Sequence, residues 1–240
     1  AVGGKGSAAA VYLIVLDDEE EAGYFYHDLT QFLGEQRVFF FPSSYKRAIR
    51  FGQRDPANEV LRTEVLTAVS GMSAPLMIVT HPEALAEKVV TRSVLSGQTL
   101  QVHRGESLGI SFVQETLSAF GFHRMDYVYE PGQFAVRGSI VDVYSFSSDL
   151  PYRIDFFGDE VDSIRTFEIE SQLSRDRKDV VSIVPELRGG VGGSQSFLSF
   201  LPPETCVVAK EVGYVCDRVR KAWDEGFSSQ AIVEHSAMNG

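Results

Sequence analysis

Two hydrophobic rhythms divide this chain. Up to about Ser96, continuous apolar runs alternate with stretches whose apolar residues recur at helical spacing. Val11–Leu16 (VYLIVL) is apolar throughout, as expected of a strand buried on both faces. Asp17 to Glu21 follow, with acidic residues at the positive N-terminal end of a predicted helix. That helix has Ala22, Phe25, Tyr26, Leu29 and Phe32 as its apolar positions and Gly34 as its stop. Arg37–Pro42 (RVFFFP) predicts the next strand. Asp55-Pro56 opens a second helix as N-cap and first-turn proline, with Val60, Leu61, Val65, Leu66 and Val69 as its apolar face and Gly71 as its end. Leu76–Thr80 predicts a third strand, and Pro82 starts another helix. Strand–helix repeats of this kind predict a parallel sheet with helices on its faces.

After Ser96 the period changes. A helix is predicted from near Ile110 to Phe120, with Val113, Leu117 and Phe120 facing the core and Gly121 as its end. Phe134–Tyr144, Pro151–Phe157 and Val161–Ile169 then alternate apolar and polar positions between turn residues. They predict an antiparallel sheet with a helix on one side. From Ser182 the first grammar returns. A strand is predicted at Ser182–Pro185, a short helix at Phe197–Leu201, a strand at Thr205–Ala209 and a helix at Val212–Phe227. The expected organisation is an α+β unit at 97–186 inserted between α/β segments at 1–96 and 187–240. Ser7–Val11 and the glycine-rich Leu187–Gln195 are short and featureless, and read equally well as loops or as junctions.

Side chains of a strand point alternately to its two faces. In Pro151–Phe157 (PYRIDFF), Tyr152, Ile154 and Phe156 form a core set, while Arg153, Asp155 and Phe157 point away. In Phe134–Ser139, Phe134 and Val136 point inward and Ala135, Arg137 and Ser139 outward. If the two segments pair as a hairpin, Arg137 and Arg153 share one face, and small neighbours leave Arg137 free to reach a partner. An aromatic beside an arginine and a carboxylate on an open sheet face has the makeup of a binding hot spot. The plainer alternative packs Phe157 under a helix and leaves both arginines in surface ion pairs worth under about 1 kcal/mol. Alternation alone favours the plainer one.

Composition narrows the function classes. With 240 residues, 44% of them hydrophobic, the chain can bury a sizeable core in one to three domains. Its net charge of -11 opposes non-specific DNA binding. Cys206 and Cys216 match no zinc spacing and read as buried, reduced thiols of a cytoplasmic protein. No apolar run is long enough to span a membrane, and no secretory signal is visible.

Candidate chemistry is sparse. A phosphate-binding loop needs the spacing GxxxxGK[ST]. Here Lys5 and Ser7 are separated by Gly6, and the opening glycine is misplaced. The strand expected to end in the magnesium-binding carboxylate ends instead in Ala209-Lys210-Glu211. Gly6, Ser7, Lys210 and Glu211 therefore form a degenerate nucleotide site, and neither hydrolysis nor a cofactor is expected. His27, His81, His103, His123 and His235 show no metal-ligand spacing. Lys46, Arg47, Arg50 and Arg54 form a basic run that reads as a solvated helix face, with a DNA or intramolecular contact as the alternative.

Two runs carry a family resemblance. Glu130–Tyr144 (EPGQFAVRGSIVDVY) and Leu150–Arg165 (LPYRIDFFGDEVDSIR), followed by Phe167, Ser171 and Gln172, resemble the UvrB-homology module of the bacterial transcription-repair coupling factors (Mfd). UvrB has a similar run, but usually with arginine where Ala135 stands and without the Glu-Pro-Gly-Gln lead. Outside these runs the resemblance rests on the order of elements. It implies a RecA-like, degenerate helicase-like parallel α/β frame (domains 1a and 1b) around an inserted α+β domain 2. It also implies that domain 2 binds the damage-recognition ATPase UvrA through Arg137, Arg153 and Phe157, with Asp155 beside them. The family's ATP-dependent DNA translocase would belong to other parts of the full factor, which are further expected to mask domain 2 intramolecularly. A UvrB-like nucleotidase or helicase fragment is the rival reading.

Overall fold

A computed structural model describes residues 11–34, 36–45, 55–72, 74–187 and 193–227. The chain runs β1 (Val11–Val15), α1 (Glu19–Leu33), β2 (Val38–Phe41), α2 (Pro56–Ser70), β3 (Leu76–Thr80), α3 (Pro82–Ala86), β4 (Lys88–Val90) and α4 (Arg92–Gly97). It continues through β5 (Leu100–His103), α5 (Ile110–Ala119), β6 (His123–Arg124), β7 (Gln133–Arg137), β8 (Ile140–Val143), β9 (Tyr152–Phe157), β10 (Glu160–Phe167) and β11 (Ser174–Lys178). The last elements are β12 (Val180–Ile183), β13 (Ser194–Ser196), α6 (Phe197–Phe200), β14 (Cys206–Ala209) and α7 (Val212–Gly226). These group into two units, Ala1–Arg92 with Gly189–Gly240, and Ser93–Arg188.

The first unit is built on a parallel four-stranded sheet in the order β14-β1-β3-β2. Helix ends follow local rules. The Asp18 side chain accepts from the Glu21 N–H and starts α1, and Asp55 accepts from the Ala57 N–H ahead of Pro56 at the start of α2. Leu16, Ala22, Val38 and Val79 form the core under α1. That helix buries only Ala22 fully, and Phe32 is largely exposed. On α2, Arg62 is buried, donates to the Pro42 carbonyl at 2.7 Å and lies over the Phe41 ring. Phe41 in turn stacks on Phe197, with ring centroids 3.8 Å apart.

The second unit is a six-stranded sheet in the order β11-β10-β9-β8-β7-β6, antiparallel except for the β6–β7 pair. Its inner face packs Phe134, Val141, Val143, Tyr152, Ile154, Phe156, Val161 and Ile164 against Val113 and Leu117 of α5 and against the β5–β12 pair.

Three expectations need correction. Phe134–Tyr144 is two strands rather than one, because Gly138 takes a φ of 61° and opens a two-residue turn with Ser139. In consequence β7 and β9 do not pair with each other, and β8 lies between them. Cys206 and Cys216 are exposed rather than buried. β14 is the outermost strand of its sheet, and Cys216 lines an open apolar groove of about 560 Å³ between α7 and the sheet. No helix among the described residues is long and apolar enough to cross a membrane.

Candidate protein-docking face

The inner face of the six-stranded sheet takes the apolar positions, so alternation sends the intervening residues to the other face. Two register rows cross that outer face. In one, Ala135, Asp142, Arg153, Arg165 and Arg177 stand opposite one another on β7 to β11. In the other, Arg137 stands opposite Ile140, which stands opposite Asp155, which stands opposite Ser163. Arg137, Arg153, Asp155 and Phe157 therefore share one face, with β8 spacing the two arginine-bearing strands.

Three arginines directly opposite one another on adjacent strands repel. Two carboxylates offset this. Arg153 Nε and Nη2 donate to the two Asp142 oxygens at 2.8 and 2.9 Å, and Arg137 Nη2 donates to Asp142 Oδ2. Arg165 Nη2 donates to Asp155 Oδ2, which also accepts from Ser163 Oγ at 3.3 Å. The Asp142 hydrogen bonds raise the Arg153 pKa above its usual value against the opposing effect of burial. The guanidinium thus stays charged throughout the working range.

The face is less open than alternation suggests. Val128, Ala135, Tyr144 and Phe167 form a second small core on it, so Ala135 is buried although it points outward. Val128 belongs to the β6–β7 connection, which no strand period could place. Arg153 lies over Phe167, 4.4 Å from the ring centroid, and its side chain is 14% exposed. Arg137 is not free. It donates to Asp142 and to the Asp126 carbonyl and lies over Tyr127, yet it keeps 36% exposure. Phe157 is 84% exposed beside the Gly158–Asp159 turn.

Sequence reasoning passed over Asp142, whose carboxylate joins both arginines and is 1% exposed. The signal was available: in Ile140–Val143, Val141 and Val143 are the core pair, and aspartate is a poor strand former in the position between them.

At the other suggested site, Lys210 follows β14 and donates to Asp17 Oδ2 at 3.3 Å and to Glu21 Oε1. A cation of the chain itself thus occupies the carboxylates that follow β1. Gly6, Ser7 and the 46–54 basic run lie outside the described residues. Among the described residues no group of His, Cys, Asp and Glu is arranged to hold a metal ion.

Residues 100–188 match the family model of the UvrB interaction domain. The chain is 32% identical over 109 residues to the transcription-repair-coupling factor of Escherichia coli, a match covering 45% of this chain and 10% of that protein. It is 32% identical over 195 residues to the factor of Myxococcus xanthus, covering 75% of this chain and 16% of that protein. With the Haemophilus influenzae factor the figures are 29% over 154 residues, 64% and 13%. The chain therefore spans between 10% and 16% of the length of the curated relatives it matches.

Proposed function

We propose, from the match of residues 100–188 to the UvrB interaction domain and the similarity of the chain to transcription-repair-coupling factors, that it is a non-catalytic recruitment module. The outer face of the six-stranded sheet binds UvrA and so brings nucleotide excision repair to stalled RNA polymerase. One observation carries this reading: Phe157, 84% exposed, shares a sheet face with Arg137, Arg153 and Asp155 inside the matched domain. An exposed aromatic on a face of paired charges is suited to filling a partner's pocket.

The first unit serves as frame rather than motor in this reading. A parallel sheet in the order β14-β1-β3-β2 supports a RecA-like ancestry. Lys210, bound to Asp17 and Glu21, supports loss of the magnesium site, because an ammonium ion repels the divalent cation that phosphoryl transfer needs. In the intact factor, the remainder of the protein masks the UvrA-binding face until polymerase is engaged. The isolated chain then binds UvrA constitutively.

Co-elution with UvrA tests the proposal. The parent chain is expected to co-elute, and Arg137→Ala and Phe157→Ala each to bind about tenfold or more weakly. Binding by both variants equal to the parent would exclude this face. Incubation with ATP and Mg²⁺ is expected to release no phosphate above the buffer blank. A rate abolished by Lys5→Ala would instead establish a nucleotidase.

A further inference from the structure

Asp142 is a carboxylate at 1% exposure on the outer face of the sheet. Burying a carboxylate is costly unless its partners are well placed. Its two flanking arginines reach it from opposite sides, Arg153 from β9 and Arg137 from the far end of β7. Arg153 approaches as a fork. Nε and Nη2 take one Asp142 oxygen each, while Nη1 donates to the Gln172 carbonyl at 3.1 Å and Nη2 to Gln172 Oε1 at 3.4 Å. Four of the five N–H donors of a guanidinium are thereby committed, and Phe167 backs the plane. Gln172 is the only non-glycine residue with a positive φ, 59°, among the described residues. It is pinned from the other side by its own Nε2 bond to the Ile169 carbonyl at 2.7 Å. Arg153 is therefore part of a braced scaffold.

Arg137 differs. Nη2 is held by Asp142, Nη1 by the Asp126 carbonyl at 3.3 Å, and the guanidinium lies 5.0 Å from the Tyr127 centroid. Its other N–H groups have no partner among the described residues, and its side chain is 36% exposed. Three anchors fix the plane and leave donors pointing outward.

An apolar cluster would stabilise such a position as well as a buried ion triad does. What the triad adds is orientation. We propose that Asp142 is a positioning residue of the docking face. Braced by Arg153, its carboxylate presents Arg137 in a fixed plane to a carboxylate-bearing surface of the partner. The proposal rests on the docking reading above and deepens it by naming the partner's chemistry. Charge supports that chemistry, since Arg137, Arg153, Arg165 and Arg177 gather on one face of a chain with net charge -11. A planar guanidinium held in place pairs with a carboxylate through two parallel hydrogen bonds. Fixing it in advance removes the ordering cost of that pairing.

Calorimetric titration of UvrA with the 240-residue chain tests this, at a temperature where circular dichroism shows every variant folded. Asp142→Asn is expected to weaken binding about tenfold or more in the parent and less than about twofold in an Arg137→Ala background, because both changes remove one interaction. Equal losses in the two backgrounds would overturn the proposal, since Asp142 would then act through the sheet in general. So would an Asp142→Asn variant that melts lower but binds as the parent does. Arg137→Lys leaves the Asp142–Arg153 pair in place. It keeps the charge and loses the fork, and is expected to bind about tenfold more weakly; binding within twofold of the parent would also overturn the proposal. If Arg137→Ala and Phe157→Ala both bind normally, the docking reading itself fails. If they weaken binding and Asp142→Asn does not, only the positioning role is lost.

Discussion

Replacing Phe156 and Phe157 by alanine, one at a time, separates two roles that adjacent residues of the same type hold on β9. Phe156 is 4% exposed, belongs to the inner core and stands opposite Val161. Truncating a buried phenylalanine costs ~3–5 kcal/mol in lost transfer and cavity terms. Phe157 is 84% exposed, so only some tens of Å² of apolar surface are at stake, ~0.5 kcal/mol at about 25 cal/mol per Å². Urea unfolding followed by far-ultraviolet circular dichroism should therefore drop by about 2 M or more in midpoint for Phe156→Ala and hardly move for Phe157→Ala. The single tryptophan, Trp223, lies in the first unit, so its fluorescence follows that unit separately. UvrA affinity should show the reverse order, with Phe157→Ala losing about tenfold or more. A Phe157→Ala midpoint as low as that of Phe156→Ala would refute the assignment of faces.

Other predictions follow from particular contacts. Burial pushes the Glu83 carboxyl up, but hydrogen bonds from His81, the Glu83 backbone N–H and Arg218 outweigh it and hold it at about 2, below its ordinary 4.5. A depressed carboxylate contributes stability that is full above pH 4.5 and is lost as pH falls toward 2. Since its side chain keeps 35% exposure, the contribution is about 1 kcal/mol after screening. Glu83→Gln should flatten the Trp223-monitored stability curve across that window, and an unchanged slope would count against the network. Gln172→Val should destabilise the second unit by about 1–3 kcal/mol, because a β-branched side chain opposes the positive φ; a thermal melt reads this. Ellman's reagent should titrate both Cys206 and Cys216 in the folded chain at similar rates, and a thiol that reacts only after denaturation would contradict their exposure.

Much of the fold was legible because local rules and burial agree. Asp55-Pro56 marked the start of α2, Leu76–Thr80 is β3 residue for residue, and the alternation in PYRIDFF placed Tyr152, Ile154 and Phe156 in the core. β8 and its turn were overlooked although Gly138-Ser139 is a two-residue hairpin signal between alternating runs. The other failures turn on element length or on what lies across space. β4 and β13 are three residues each, too short to show a period. Ala135 was correctly sent outward, yet it is buried with Val128 of the connection that precedes β7. At the face, parity found Arg137, Arg153, Asp155 and Phe157. It was silent on which of them are held, because hydrogen-bond partners such as Gln172 and Asp126 lie outside the strands that set the parity.

Asp142 also bears on how faithfully the sheet assembles. Strand pairing has a period of two, so sliding β8 by one residue would exchange its faces. Val141 and Val143 would turn to the outer face, and the Asp142 carboxylate would enter an apolar core beside Phe134 and Ile154, away from both arginines. The outward-turned valines would lose their burial, and the unpaired carboxylate in that core would add a larger cost. A single acidic residue in a central strand thereby acts as a proofreader, admitting one alignment of β7, β8 and β9 and rejecting the shifted ones during folding.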